Sequence, residues 1–201
     1  MDAVPDDELT GSDPDANRAA EETAMVLLAQ RDLRAFEPVY RRYYRPIYRY
    51  CFRRLGEREA AADATSQTFA RAMAGIDGYR TGSVAAWLFT IARNVVIDMV
   101  RYRRPQVDLD AIDASGGLVD RERLPDERAI GAEQRERLFA AMARLTPEQR
   151  GLVELRLAGL SGREIASALG ISVSAVKSSQ FRAYARLRTL LAGEHIFGDG
   201  S

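Results

Sequence analysis

The segment GLSGREIASALGISVSAVKSS, residues 159–179, restricts the fold of this chain more than any other stretch. Ser161 and Glu164 form the pattern of a capping box, which begins a helix. Gly170 stands where a helix ends in a left-handed residue, and Ser172 can cap a second helix directly after it. The segment therefore predicts a helix-turn-helix, whose second helix can enter the major groove of DNA.

The exposed side of the predicted second helix carries residues that suit DNA. We expect Ile171 to fill the corner between the two helices and Val176 to face the core. The other side offers small polar groups for base edges and two cations for phosphates. The residues of this side are Ser174, Ala175, Lys177, Ser178 and Arg182. A plain helical hairpin shares the helix-glycine-helix order, but it does not require both caps and a basic second helix.

Helical periodicity covers most of the remaining chain. Apolar residues recur every three or four positions through two long stretches, and no strand-like alternation appears. Pro46 is expected to kink or break its helix. Ser83 is expected to cap a long helix whose buried stripe extends to Tyr102. The sequence predicts an all-α fold of two small helical domains joined by a flexible linker.

Composition and charge divide the chain into five parts. The predicted parts are a disordered acidic tail over 1–23, a helical module over 24–105, a linker over 106–130, a second helical module over 131–193 and a frayed tail over 194–201. Residues 25–104 hold fifteen arginines against seven acidic residues, whereas residues 105–128 hold seven acidic residues against three arginines. Two basic modules around an acidic linker indicate a protein that meets an anion, with nucleic acid as the first candidate.

A second basic surface is predicted on the long helix of the first module. Its residues lie three to four positions apart and suit a nucleic-acid backbone and base edges. They are Arg93, Asn94, Arg101 and Arg104. In the glycine-rich loop before this helix, Tyr79 and Arg80 are expected to stack on an unpaired base or clamp it.

Residues 63–73 carry a candidate protein-docking surface. Asp63 and Gln67 lie one helical turn apart, beside Phe69. Hydrogen-bonding side chains next to an exposed aromatic ring favour an interface with another protein. The alternative is that Phe69 belongs to the core and that the polar face is merely solvated.

Three segments in this order resemble one protein family. TFARAM, AAWLFTIARNVVIDMVRYRRP and LTPEQRGLVELRLAGLSGREIASALGISVSAVKSS are similar to the group 4, extracytoplasmic-function (ECF) sigma factors of bacterial RNA polymerase. The resemblance covers roughly 25–105 and 133–192. It implies that the first module is sigma region 2 and the second is sigma region 4.

The resemblance also implies partners for each surface. Region 2 would dock on the β′ clamp helices of core polymerase through Asp63, Gln67 and Phe69. It would bind the minus-ten element through Tyr79, Arg80, Arg93, Asn94, Arg101 and Arg104. Region 4 would bind the minus-thirty-five duplex through Arg163, Ser172, Ser174, Ala175, Lys177, Ser178 and Arg182, and would contact the β flap. The family also makes an anti-sigma factor a plausible partner.

The resemblance does not extend to a promoter sequence. Family members often have Gly-Thr in place of Ser174-Ala175 and Arg in place of Ser179. These positions belong to the recognition helix, so no base preference is carried over.

Two other classes of function remain open at the level of sequence. An autonomous helix-turn-helix regulator would bind duplex DNA tightly as a dimer without polymerase, although the first module resembles no ligand-sensing domain. A nuclease would require a carboxylate cluster, a phosphate-binding loop or metal-ligand spacing, and the sequence contains none of these. His195 lies in the predicted frayed tail, and Cys51 is flanked by aromatic residues. We expect no enzymatic activity, no metal and no cofactor.

The expected localisation is the cytoplasm. The acidic N-terminus has none of the features of a secretory signal. No apolar run approaches the roughly 18 residues that a membrane span requires, so no membrane insertion is expected. The single cysteine excludes an internal disulfide.

Overall fold

The computed structural model describes residues 14–103 and 132–193, which form eight α-helices and no strand. The helices are α1 (Pro14–Ala29), α2 (Glu37–Leu55), α3 (Arg58–Ala74), α4 (Val84–Arg103), α5 (Ala132–Ala143), α6 (Pro147–Leu157), α7 (Gly162–Leu169) and α8 (Val173–Gly193). Short 3₁₀ helices cover Leu33–Phe36 and Ile76–Gly78. The predicted all-α fold is confirmed. Within the two described stretches, no helix combines the length and apolarity needed to cross a membrane.

Helix α1 corrects the predicted disordered tail. The expected tail over 1–23 overlaps α1, which begins at Pro14 and continues to residue 29. The acidic composition was misleading because Glu22 is buried and paired: it accepts a hydrogen bond from the Tyr43 hydroxyl at 2.7 Å and lies 3.0 Å from the Arg42 guanidinium. Val26, on the same helix, is fully buried. Residues 1–13, most of the predicted linker and the predicted C-terminal tail lie outside the described residues.

Helix α2 passes through Pro46 without a break. A proline inside a helix removes one backbone hydrogen bond and costs about 3 kcal/mol or more. Here Val39 precedes the proline and Ile47 and Tyr50 follow it, and all three are buried in the core of the first module. Packing on both sides of Pro46 keeps the helix continuous, so of the two expected outcomes, a kink or a break, the break does not occur.

Helix α4 begins where the sequence predicted. The Ser83 hydroxyl accepts a hydrogen bond from the backbone N–H of Ala86 at 3.2 Å and caps the helix. Leu88 and Val95 are fully buried, but Tyr102 is 92% exposed. The buried stripe therefore ends before Tyr102, because the last turn of α4 extends past the core that it covers.

The helix-turn-helix forms as its local signals predict. Ser161 and Glu164 make both hydrogen bonds of a capping box at the start of α7. Gly170 ends α7 with φ of +67°, a conformation that glycine adopts without the steric cost of a side chain. Ser172 accepts a hydrogen bond from the backbone N–H of Ala175 at 3.1 Å and caps α8. Ile171, expected in the corner, is exposed; Val176 and Ile165, both fully buried, occupy the interior instead.

The two modules also pack on each other, which the sequence did not predict. Helix α4 lies against α7, and α2 approaches α6. Leu88 of α4 belongs to the same buried cluster as Ile165 and Ala168 of α7. A second cluster, which includes Met142 and Leu187, forms the rest of the core between α5, α6 and α8.

Candidate nucleic-acid interface

The N-terminal half of α8 presents the predicted duplex-binding face. Ser174, Ala175, Lys177, Ser178 and Arg182 are all exposed. The Val176 side chain points the other way, into the core, and thereby fixes the rotation of the helix. The start of a helix carries partial positive charge, which adds to the attraction of Lys177 for phosphate.

Two further members of the predicted set lie outside α8, one on α7 and one in the turn between the helices. Arg163 is exposed on the first turn of α7. Ser172 is exposed as well, but its hydroxyl serves as the α8 cap and lies 2.9 Å from the Ser174 hydroxyl. All seven predicted residues are thus exposed on the helix-turn-helix, while part of the hydrogen-bonding capacity of Ser172 is already used.

Helix α4 presents the second predicted face. Arg93, Asn94 and Arg101 are exposed on it, whereas Arg104 lies outside the described residues. Asp98 is half-buried and forms an ion pair with Arg71 of α3, with 2.9 Å between Nη1 and Oδ2. Because Arg71 offsets the only acidic group of this helix, the α4 face keeps the positive charge that a nucleic-acid backbone requires.

The loop before α4 departs from its predicted role. The Tyr79 ring is 5% exposed and packs against Trp87, with 5.1 Å between ring centroids. Its hydroxyl donates to the Gly82 carbonyl at 2.6 Å. The expected stacking of Tyr79 on a base does not fit this conformation, since the ring is already covered. Arg80 remains exposed and donates to the Asp77 carbonyl.

Helix α1 holds this loop in place. The Gln30 amide donates to the carbonyls of Ile76 and Tyr79, at 2.9 and 2.7 Å. The Thr23 hydroxyl lies 3.3 Å from both the Tyr79 hydroxyl and the Gly82 carbonyl. Nothing in the local sequence predicts this contact, because Thr23 on α1 and Gln30 just after it lie about fifty residues before the loop.

Of the residues expected to form the docking surface on α3, only the polar ones are exposed. Asp63 and Gln67 are exposed one turn apart. Phe69 is 3% exposed, so its ring cannot make the direct contact that was expected. It packs against Tyr40 of α2, with 4.6 Å between ring centroids, and against Tyr44 at 6.5 Å. These tyrosines are partly exposed and supply the accessible aromatic surface that was attributed to Phe69.

A cleft of about 410 Å³ lies between the two modules. Arg93 and Tyr50 line it from the first module, and Ala175 and Arg182 line it from the second. Residues predicted to bind two different DNA elements therefore border one cavity. Sequence reasoning missed this proximity, because nothing local in either module specifies it.

A buried charge cluster also joins the two modules. Glu154 of α6 is 1% exposed and accepts hydrogen bonds from Arg150 at 2.9 Å and from Arg54 of α2 at 3.3 Å. Arg53 Nη2 also donates to the Glu154 backbone carbonyl at 3.4 Å. A buried carboxylate requires such partners, because desolvation of an unpaired charge is costly.

The described residues hold no cluster of three or more His, Cys, Asp or Glu side chains that could bind a metal ion. Two other reactive groups, the Tyr50 hydroxyl and the Cys51 thiol, are buried. Burial raises the pKa of the Tyr50 hydroxyl above its ordinary value, and Cys51 is a free thiol. These groups lie in the core rather than at the exposed faces, where the described side chains offer hydrogen bonds and positive charge.

Cys51 is expected to resist thiol reagents in the folded protein. Burial raises the pKa of its thiol to about 12, so very little thiolate exists near pH 8 and no reagent reaches the sulfur. The reaction with an aromatic disulfide reagent should be at least about 100-fold slower than in the chain unfolded with guanidinium. The measurement is the absorbance of the released thiolate. Equal rates in both states would contradict the burial of Cys51.

Comparison with known proteins gives a consistent result. The family model for Sigma-70 region 2 matches residues 39–106, and that for Sigma-70, region 4 matches residues 135–187. The ECF RNA polymerase sigma factor BldN of Streptomyces coelicolor is 34% identical over 186 residues, which cover 90% of this chain and 68% of that protein. The ECF sigma factor SigE of Mycolicibacterium smegmatis is 31% identical over 169 residues, covering 81% of this chain and 64% of that protein. The chain thus spans about two thirds of the length of these relatives.

A solved structure supports the same assignment. The sigma factor RpoE in complex with the anti-sigma factor NepR from Bartonella quintana has a TM-score of 0.61 and 25% sequence identity to this chain. The similarity covers 78% of this chain and 96% of that one. Since both sigma regions match in order and relatives exceed 30% identity over most of the sequence, the chain belongs to the extracytoplasmic-function sigma factors of the sigma-70 family.

Proposed function

We propose that this chain is a promoter-specific initiation factor that binds core RNA polymerase and directs it to promoters with minus-ten and minus-thirty-five elements. The observation that carries the proposal is the presence of two exposed DNA-compatible faces on separate helical units, α4 and the first turns of α8. One face would stabilise the melted minus-ten strand, and the other would anchor the duplex at the minus-thirty-five element. Polymerase supplies the chemistry, since sigma factors are initiation factors and not enzymes.

The proposed contacts with promoter DNA and polymerase are assigned to exposed residues. Region 4 would bind duplex through Arg163, Ser172, Ser174, Ala175, Lys177, Ser178 and Arg182. Region 2 would bind the melted strand through Arg80, Arg93, Asn94, Arg101 and Arg104. Asp63 and Gln67, with the exposed edges of Tyr40 and Tyr44, would dock on the β′ clamp helices, and a surface of region 4 would dock on the β flap. Because Tyr79 is buried, its contact with a base would require the loop to rearrange.

Two further parts of the proposal rest on the family. An anti-sigma factor is a proposed partner, because RpoE was solved with one and resembles this chain in fold and sequence. The proposed place of action is the cytoplasm, where RNA polymerase meets the chromosome.

Run-off transcription tests the proposal directly. Core polymerase is supplied with fragments of the host genome, with and without this protein, and transcript starts are mapped. We expect new start sites that share two spaced sequence elements, and none with the protein alone. If no new transcript appears although the protein binds duplex DNA tightly as a dimer, the autonomous regulator is the correct function.

A further inference from the structure

We propose that the cleft between the two modules is a binding site for a nucleoside polyphosphate, a ligand that combines several negative charges with a planar ring. The site goes beyond the proposed function, and its consequence, competition with promoter DNA, rests on that function. Three features of the lining support the proposal: two arginines that face no acidic partner, an accessible apolar surface, and a glycine inside a helix that leaves space unfilled.

The cationic side chains of the cleft come from both modules. Arg93 of α4 and Arg182 of α8 line it, both are exposed, and neither forms an ion pair with a residue that the structure describes. A third arginine of the lining, Arg54, is already paired with Glu154 at 3.3 Å. Two like charges that border one cavity favour an anion between them, and the guanidinium group matches the geometry of phosphate oxygens. The pair therefore suits a ligand with more than one phosphate.

Much of the remaining lining is apolar and accessible. Ile171, in the turn between α7 and α8, is 41% exposed, and Ile97 of α4 and Leu169 of α7 are partly buried. The volume of about 410 Å³ lies within the range of small-molecule sites, which combine apolar walls with a few placed polar groups. A planar ring fits such walls, whereas a free inorganic anion would leave them in contact with water.

Gly151 of α6 leaves space in the same cleft. It lies inside the helix, where glycine is less stable than alanine because it has more backbone freedom to lose. A Cβ atom added at this position would meet no atom within 4 Å, so the packing of the protein does not require glycine here. Because Gly151 lines the cleft, its missing side chain allows a ring to approach the helix backbone.

A carboxylate in the lining favours a base over phosphate alone. Among the described residues that line the cleft, Glu148, in the first turn of α6, is the acidic one, and its side chain is exposed. A carboxylate repels phosphate, but it accepts hydrogen bonds from the amino groups on the edges of bases. The cleft should therefore prefer a nucleotide that carries an amino group on its base to inorganic polyphosphate.

The consequence for DNA binding follows from the shared arginines. Arg182 belongs to the proposed duplex-binding set, and Arg93 belongs to the proposed minus-ten set. A guanidinium group that is engaged with a nucleotide phosphate is not available to a DNA phosphate. Bound nucleotide should therefore weaken the binding of promoter duplex by the free chain.

Calorimetric titration of the full chain tests the site. The probes are GTP, ATP and inorganic tripolyphosphate, which has the phosphates but no ring. We expect saturable binding to a single site for at least one of the two nucleotides, and binding of tripolyphosphate that is weaker by about tenfold or more. Arg93→Ala combined with Arg182→Ala should weaken nucleotide binding by about tenfold or more, because both charge-assisted contacts are lost.

Gly151→Leu tests the cleft without changing any residue assigned to DNA. The new side chain should fill the space above α6 and weaken nucleotide binding by about tenfold or more, with circular dichroism showing that the helices are retained. The matched control is Gly162→Leu, another helical glycine where an added Cβ would meet no atom within 4 Å, but one outside the cleft lining. The control should bind nucleotide as the wild type does. In fluorescence anisotropy, the nucleotide should displace promoter duplex from the wild type and not from Gly151→Leu.

The outcomes separate the site from the proposed function. The site would be overturned if neither nucleotide binds, if tripolyphosphate binds as tightly as the nucleotides, or if Gly151→Leu binds them as the control does, even where transcription is promoter-specific. Saturable nucleotide binding that Gly151→Leu abolishes supports the site. A failure to find promoter-specific transcripts would then count against the proposed function alone.

Discussion

Replacing Lys177 and Arg182 together with alanine is expected to weaken promoter binding by the polymerase complex on the order of 30-fold. Both side chains are exposed on the α8 face, whose opposite side is fixed in the core by Val176. If each phosphate contact contributes about 1 kcal/mol, the pair contributes about 2 kcal/mol, or roughly 30-fold in affinity. The loss of affinity should be similar for strong and weak promoters, because contacts to phosphate do not depend on the base sequence.

The salt dependence of promoter binding identifies lost phosphate contacts more specifically than the affinity does. Each lost phosphate contact reduces the slope of log K against log salt concentration by about 0.9, so the double variant should reduce the slope by about 1.8. Fluorescence anisotropy of labelled promoter DNA over a series of salt concentrations measures it. The matched control is Arg186→Ala with Arg188→Ala, two exposed arginines further along the same helix. A slope that remains unchanged would mean that neither Lys177 nor Arg182 contacts phosphate.

The parts of the fold that the sequence predicted are those with local causes. A capping box joins a side-chain oxygen to a backbone N–H three residues away. Ser161 and Thr146 therefore mark the starts of their helices through local contacts alone. Gly170 is equally local, since its left-handed conformation depends on its own backbone. The same reasoning accounts for the exposure of the residues that the sequence predicts to bind the duplex, because one buried residue, Val176, sets the rotation of α8.

The incorrect predictions concern residues whose burial depends on partners that are distant in the sequence. Glu22 looked like part of a solvated acidic tail, but its carboxylate accepts a hydrogen bond from Tyr43 and forms an ion pair with Arg42, both on α2. Tyr79 looked like an exposed loop residue, but Trp87 packs against its ring, and Gln30, just after α1, donates to its carbonyl. Hydrophobic periodicity describes one helix at a time, and therefore cannot identify which neighbour will cover a polar or aromatic side chain.

The packing between the modules was missed for a related reason. Glu154 stands within the apolar sequence LVELRL of α6, where a charge is commonly read as the solvated edge of a helix. Its partner Arg54 lies 100 residues away in the other module. Only the folded arrangement reveals that this carboxylate is buried and that the two predicted DNA faces border one cleft.

Replacing Arg93 and Asn94 together with alanine is expected to slow open-complex formation by about tenfold or more while leaving the affinity for core polymerase unchanged. Both side chains are exposed on α4, whereas Asp63 and Gln67 are exposed on a different helix, α3. A tenfold change corresponds to about 1.4 kcal/mol of lost stabilisation of the melted state, the scale of one or two exposed hydrogen bonds. Permanganate reactivity of unpaired thymines measures melting, and native gel shifts measure polymerase binding.

A template with a preformed bubble distinguishes melting from an earlier step. If Arg93 and Asn94 mainly help to open the duplex, a mismatched minus-ten region should restore most of the transcription by the variant; if they hold the strand after it opens, the defect should persist. The matched control is Asn17→Ala on α1 with Arg31→Ala in the turn that follows α1, an exposed pair of the same residue types. Equal losses in polymerase affinity and in melting would contradict the assignment of this α4 face to DNA, because a docking surface would lose both together.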